Sequence, residues 1–375
     1  MVSVNNIYNK LTKLGTDMFT GVPDSLLKNF CAYVTDNAPE GHHIIAANEG
    51  NAVGIAAGHY LATRKPALVY MQNSGEGNAV NPLLSLADKK VYSIPMILMI
   101  GWRGEPNVHD EPQHVKQGEV TVSLLETMDI PYVVLSTEED EALKQVEQAF
   151  SKTVELSSPV AIVIRKGTFG SYKLQNASRN DNPLSREEAM KLVVDSLNDS
   201  DVVVSTTGKL SRELFEYREE KKQGHGHDFL TVGSMGHSSS IALGIAMAKP
   251  NRRIFCFDGD GALIMHTGAL GIVAAQNPKN FFHILFNNGA HESVGGQPTV
   301  GYKIKPAEIA LAMGYKKAVT ATTRQEITDA LNMLSNCEGP VLIELKVKID
   351  SRDNLGRPTT TPEQNKEDFM NFLSK

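Results

Sequence analysis

The chain is predicted to be α/β, folded as two related domains, each a mostly parallel sheet covered by helices on both faces. Three observations predict this. Short β-branched runs alternate with longer helical patterns along almost all of the 375 residues, as when parallel strands are joined by crossover helices. Several of these runs, such as 67–72 and 95–100, are almost uniformly apolar, as strands buried on both sides must be. The segments closing the two halves, from Met128 and from Met313, also read alike: a strand, an acidic helix, a turn holding Pro159 or Pro340, and a final strand.

In the first half, strands are expected over 17–21, 43–47, 67–72, 95–100, 131–135 and 160–165. A helix is expected to begin at Asp24 as N-cap, because Leu27, Phe30, Cys31 and Val34 follow at helical spacing. Residues 167–185 are rich in Gly, Ser, Asn, Asp and Pro and lack apolar periodicity. That break divides the chain into a domain over 1–168, a linker over 169–185 and a domain over 186–375. Strands resume near 201–205, 228–231, 253–257, 282–287, 316–320 and 340–346. Beyond 350 a polar tail leads to a short terminal helix, for which Thr361, Pro362 and Gln364 form a capping box.

Composition narrows the function. Lys and Arg number 37 against 43 Asp and Glu, and a net charge of -6 offers no overall attraction for nucleic acid or an anionic membrane. The three cysteines, Cys31, Cys256 and Cys337, are scattered singly and fit a reducing, cytoplasmic setting rather than a disulfide framework or a CxxC metal site. The N-terminus shows no signal-peptide apolar region, and no apolar run approaches the ~20 residues that span a bilayer. GxGxxG, GxxxxGK[ST], HExxH and GxSxG are all absent, which leaves nicotinamide-binding, P-loop, zinc-peptidase and α/β-hydrolase readings without an anchor.

Asp258-Gly259-Asp260-Gly261 ends one apolar strand, and Asn287-Asn288-Gly289 ends the next, with 25 residues between Gly261 and Asn287. A strand, helix, strand unit of that length returns both strand ends to the sheet edge where ligands of open α/β folds bind. The glycines beside Asp260 allow a turn and close backbone approach, and carboxylate, amide and carbonyl oxygens suit Mg²⁺ with phosphate.

With these motifs the chain resembles the thiamin-diphosphate-dependent enzymes. The resemblance implies that Asp260, the Asn288 side chain and the Ala290 carbonyl bind Mg²⁺, with Gly259 and Gly261 around the diphosphate. It also implies that Met235, 25 residues before Asp260, wedges the bent cofactor, while the Gly233 carbonyl meets the aminopyrimidine. The same family carries a glutamate in E-x-x-A-x-x-x-A-x-G, matched here by Glu49-Gly50-Asn51-Ala52-Val53-Gly54-Ile55-Ala56-Ala57-Gly58. A buried carboxyl there shares a proton with the pyrimidine and sets up the cofactor as an electron sink for loss of CO₂.

No third domain separates the halves, and this matches the phosphonopyruvate and sulfopyruvate decarboxylases, the former most closely. The wording GVPDSLLKNF, GWRGEPNVHDEPQHVKQG and FNNGAHESVGGQPT carries that likeness. It implies a small anionic 2-oxo acid substrate, 3-phosphonopyruvate, converted to phosphonoacetaldehyde and CO₂, and at least a homodimer with its sites at the subunit interface. Arg103 is the candidate for the phosphonate, by its planar fork. Asp24, Ser25, His114, Gln117 and His237 are further substrate candidates, and Asp24, as a proton donor, joins Glu49, His114, His291 and Glu292 as the catalytic candidates. Sulfopyruvate decarboxylation is the nearest alternative, because both acids end in a tetrahedral anion; carboligation is the next.

Overall fold

The computed structural model describes residues 1–177 and 180–375; Ser178 and Arg179, within the expected linker, lie outside the described residues. The chain forms two compact units: Met1–Ala177 with His291–Gln297, and Ser178–Ala290 with Pro298–Lys375.

The first unit carries β1 (Phe19–Gly21), β2 (His43–Ile45), β3 (Ala67–Gln72), β4 (Met96–Gly101), β5 (Tyr132–Val134) and β6 (Val160–Ile164). They form one six-stranded sheet in the order β2-β1-β3-β4-β6-β5, every pair parallel. The second unit carries β7 (Val202–Ser205), β8 (Asp228–Leu230), β9 (Ile254–Gly259), β10 (Phe281–Asn287), β11 (Lys317–Ala321) and β12 (Val341–Lys346). Its order is β11-β12-β10-β9-β7-β8, again all parallel. Read from the other edge, this is the same order as in the first unit, so the two units repeat one topology. Each expected strand is present within a residue or two of its expected bounds.

Alternate residues of the central strands enter different cores, which is why those strands are mostly apolar. In the first unit Leu68 and Tyr70 pack with Phe19, Phe30 and Ile162, whereas Val69 and Met71 pack with Ala52, Ala56 and Leu98. In the second, Phe255 and Phe257 join Leu214 and Ile343 on one face, and Ile254 and Cys256 join Ala242 and Ala310 on the other. Burying both faces under helices leaves only the strand ends for chemistry.

One local expectation is corrected. The helix after β1 begins at Lys28. Asp24 instead accepts the backbone N–H groups of Leu26 (2.9 Å) and Leu27 (3.2 Å), capping the turn that precedes the helix. The stretch after β4 is a loop only to Glu111; Pro112, with no amide to donate, opens the helix Pro112–Thr127 that carries His114 and Gln117. Gly259 needs no left-handed backbone, since its φ is -108° and Asp260 directly starts a helix. The terminal capping box forms as expected, Thr361 accepting from the Gln364 amide at 3.1 Å.

Candidate active site

In the first unit the chemistry gathers at the C-terminal ends of β1 to β4. Glu49 is the first residue of the helix Glu49–Thr63, fixed there by Asn48, whose side chain accepts the Asn51 amide at 2.9 Å. Its carboxyl is buried, at 5% exposure, and accepts a hydrogen bond from Asn78 Nδ2 at 2.8 Å. The carboxyl rests on the turn Asn73–Gly75 after β3, so closely that a Cβ at Gly75 would lie 2.3 Å from Glu49 Oε1. Only glycine permits that approach.

Asp24, at 0% exposure, accepts from Gln72 Nε2 at 2.7 Å as well as from its own turn. Burial pushes its carboxyl up to about 6, against the pull of the Leu26 and Leu27 amides and the Arg103 charge. Arg103 donates through Nη1 to Ser25 Oγ at 2.8 Å, and its Nε donates to Asp110 Oδ2 at 2.7 Å while Nη2 donates to Asp110 Oδ1. The side-on edge expected to grip a phosphonate is therefore spent on Asp110. Burial opposes ionisation of Asp110, yet Arg103 and the amides of Glu111 and Gly104 hold its carboxyl well below the usual range. His114 and Gln117, both half-buried, lie on the first turns of the neighbouring helix.

His291 and Glu292 follow β10 on the segment that groups with the first unit. Burial lowers the His291 imidazole to about 4, so at neutral pH it is uncharged and able to accept a proton only weakly. Glu292 opens a short 3₁₀ turn, Glu292–Val294.

In the second unit the turn after β8 meets the helix after β9. Gly236 takes a left-handed φ of +86°, and a Cβ there would lie 2.7 Å from the His266 ring and 3.1 Å from the Ala262 carbonyl. This seats the Gly233–Met235 turn against the helix that Asp260 begins. His237 is exposed and its ring lies 4.6 Å from that of His266, a neighbour that sequence reasoning missed.

Asp260 is 4% exposed, and burial raises its carboxyl to about 6, against the Thr299 hydroxyl and the amides of Asp260, Gly261 and Asn288. Thr299 Oγ1 donates to Asp260 Oδ2. A Cβ at Gly301 would lie 2.7 Å from the same oxygen, so the glycine leaves the carboxyl a cradle. The Asn pair divides its work. Asn287 turns into the sheet, donating to Glu344 Oε1 at 2.7 Å and to the Gly301 carbonyl at 2.9 Å. Asn288, also buried, points its Oδ1 to the Ala290 amide at 3.0 Å. A buried carboxyl raised by burial, beside amide and carbonyl oxygens, is the hard-oxygen donor set that a divalent cation stabilises. The residues fit Mg²⁺, and nothing lies within 4 Å of a Cβ position at Gly259, which leaves its backbone open to a diphosphate.

Besides His266, three contacts and one buried acid escaped the sequence reading: Asn78 to Glu49, Asp110 to Arg103, Thr299 to Asp260, and Glu76. Thr299 closes the segment FNNGAHESVGGQPT and could have been found there; the others have no sequence signal beyond residue type.

Fold and site together fit a cofactor-dependent α/β enzyme in which one unit carries a buried glutamate and the other a buried aspartate and asparagine at adjacent strand ends. Residues 3–125 match the family model for the N-terminal thiamine pyrophosphate (TPP) binding domain of thiamine pyrophosphate enzymes, and residues 206–345 match that for the C-terminal TPP binding domain. The chain belongs to the thiamine pyrophosphate enzyme family. It is 31% identical to phosphonopyruvate decarboxylase of Streptomyces viridochromogenes over 100% of this chain and 96% of that one. It is 31% identical to that of Streptomyces hygroscopicus, over 100% and 95%. Sulfopyruvate decarboxylase of Methanosarcina acetivorans is 30% identical over 85% of this chain and 84% of its own.

Proposed function

We propose that this chain decarboxylates 3-phosphonopyruvate to phosphonoacetaldehyde and CO₂, using thiamin diphosphate and Mg²⁺. The observation that carries the chemistry is the buried Glu49 carboxyl, held by Asn78 and seated on Gly75. The full-length likeness to two phosphonopyruvate decarboxylases supports the substrate.

Thiamin diphosphate supplies, when bound, a thiazolium that adds to a 2-oxo acid and accepts the electron pair left by CO₂. Glu49 would share a proton with the pyrimidine ring. Asp260, the Asn288 side chain and the Ala290 carbonyl would hold Mg²⁺, the Gly259–Gly261 backbone would take the diphosphate, and the Gly233 carbonyl and Met235 would hold the rest of the cofactor. Asp24, raised to about 6 by burial, keeps a share of its protons near neutral pH and delivers one to the carbon that CO₂ leaves. Ser25, Arg103, Gln117 and His237 bind the anionic substrate, and His114, His291 and Glu292 orient it and pass protons. A sulfonate is recognised by the same groups, so sulfopyruvate is the second reading, supported by the archaeal relative.

The working form is at least a homodimer, in which each cofactor would meet Glu49 of one subunit and Asp260 of the other. It operates in the cytoplasm, where Cys31 and Cys256, both buried and free, stay reduced; among the described residues no helix is long and apolar enough to cross a membrane. Glu49→Gln tests the assignment: thiamin diphosphate should still bind in a calorimetric titration while kcat falls by about 100-fold or more. Near-normal turnover would refute it.

A further inference from the structure

Glu76 belongs to none of the motifs above, yet it directly follows the turn on which Glu49 rests and begins the helix Glu76–Pro82. Its side chain is 3% exposed, and its Oε1 has no hydrogen-bond partner. Burial pushes the carboxyl up to about 8, opposed only by the Thr121 hydroxyl, so it is a neutral acid at pH 7. Keeping such a group buried with an idle acceptor lowers stability, and residues of that kind concentrate at functional sites.

Its surroundings say what it acts on. Asn73, at the other end of the turn, donates to the Arg103 carbonyl at 2.8 Å and to Thr121 Oγ1 at 2.9 Å, and accepts the Arg103 amide at 3.1 Å. Thr121 in turn donates to the Gln117 carbonyl at 2.7 Å. The turn is thus fastened at Asn73 to the Arg103 loop and to the helix Pro112–Thr127, and Glu76 meets Thr121 from the other end. The charged and titratable groups around this junction are Glu49, across Gly75, and Arg103, with His114 on the packed helix.

We propose that Glu76 is a positioning residue for Glu49: as a neutral acid it seals the turn Asn73–Gly75 against the helix Pro112–Thr127, and loss of its proton loosens that turn and the seat of the Glu49 carboxyl. The proposal rests on the reading of Glu49 as the acid facing the pyrimidine.

Glu76→Gln keeps shape and polarity but cannot ionise. At pH 7 its kcat/KM should lie within about threefold of the parent, whereas at about pH 9.5 it should exceed the parent by about tenfold, because only the parent loses a proton there. The cofactor-free proteins give a second readout. Glu76 is raised in the folded state above its ordinary 4.5, so the stability it lends at low pH is lost as pH climbs from there to about 8. The unfolding midpoint of the variant should therefore gain on the parent between those limits and hold its lead above them. An unchanged alkaline limb in Glu76→Gln, or a midpoint difference independent of pH, would overturn the proposal. Glu49→Gln, assayed in parallel, separates the two claims: if it is inactive while Glu76→Gln keeps the parental limb, only the role of Glu76 fails.

Discussion

Arg103 shows how far a residue type can be read before its neighbours are known. A guanidinium in a glycine-rich loop marks an anion site, but the anion it grips is its own chain's Asp110, seven positions on, which also accepts the Gly104 amide at 2.9 Å and the Glu111 amide at 2.8 Å. This fork fixes the direction of the guanidinium, and through Ser25 the loop is tied to the buried Asp24. Asp110→Asn is expected to raise KM for the anionic 2-oxo acid about tenfold with kcat within about threefold, since orientation is lost and the reacting groups are untouched. Steady-state kinetics would show it; an equal fall in kcat would place Asp110 in the chemistry instead. Glu49, Asp260 and Asn288 were legible as candidates because each lies in a short motif that follows a strand. Asp110, Asn78 and Glu76 were not, because their roles come from contacts that only the folded loops create.

Among elements, the strands were the most legible. Burial on both faces forces nearly uniform apolar runs in the central strands such as β3, β4 and β10, and even the partly exposed edge strands β2, β5 and β11 could be bounded from sequence to within two residues. Turns were harder to read. Asp24 has the chemistry of a cap, but three turn residues separate it from the helix at Lys28. The turn Asn73–Gly75 is made of small and polar residues with no sign of a partner, whereas in the folded chain it seats Glu49. Substituting Gly75→Ala probes that seat directly. The added methyl meets the Glu49 carboxyl, so the variant should lose on the order of 1–3 kcal/mol of stability and most of its turnover. Calorimetric Mg²⁺ and cofactor titrations, compared with those of Glu49→Gln, would show whether binding survives. Full activity in Gly75→Ala would mean that Glu49 does not need this seat.

At the scale of the whole molecule, one topology appears twice and carries two different sets of buried polar groups. The first unit places the Glu49 carboxyl after β2, and the second places the Asp260 carboxyl and the Asn288 amide after β9 and β10. The repeat was visible in the similar closing segments of the two halves, and the shared strand order extends it to the entire sheet. With a net charge of -6, the protein offers an anionic substrate no overall attraction, so recognition must come from local groups, for which Arg103 and the proposed metal site are the candidates. The most direct measurement is CO₂ release by the purified protein from phosphonopyruvate and, separately, from sulfopyruvate, each with and without thiamin diphosphate and Mg²⁺. Release that needs both cofactors and favours the phosphonate is expected; cofactor binding with no release from either acid would contradict the assignment.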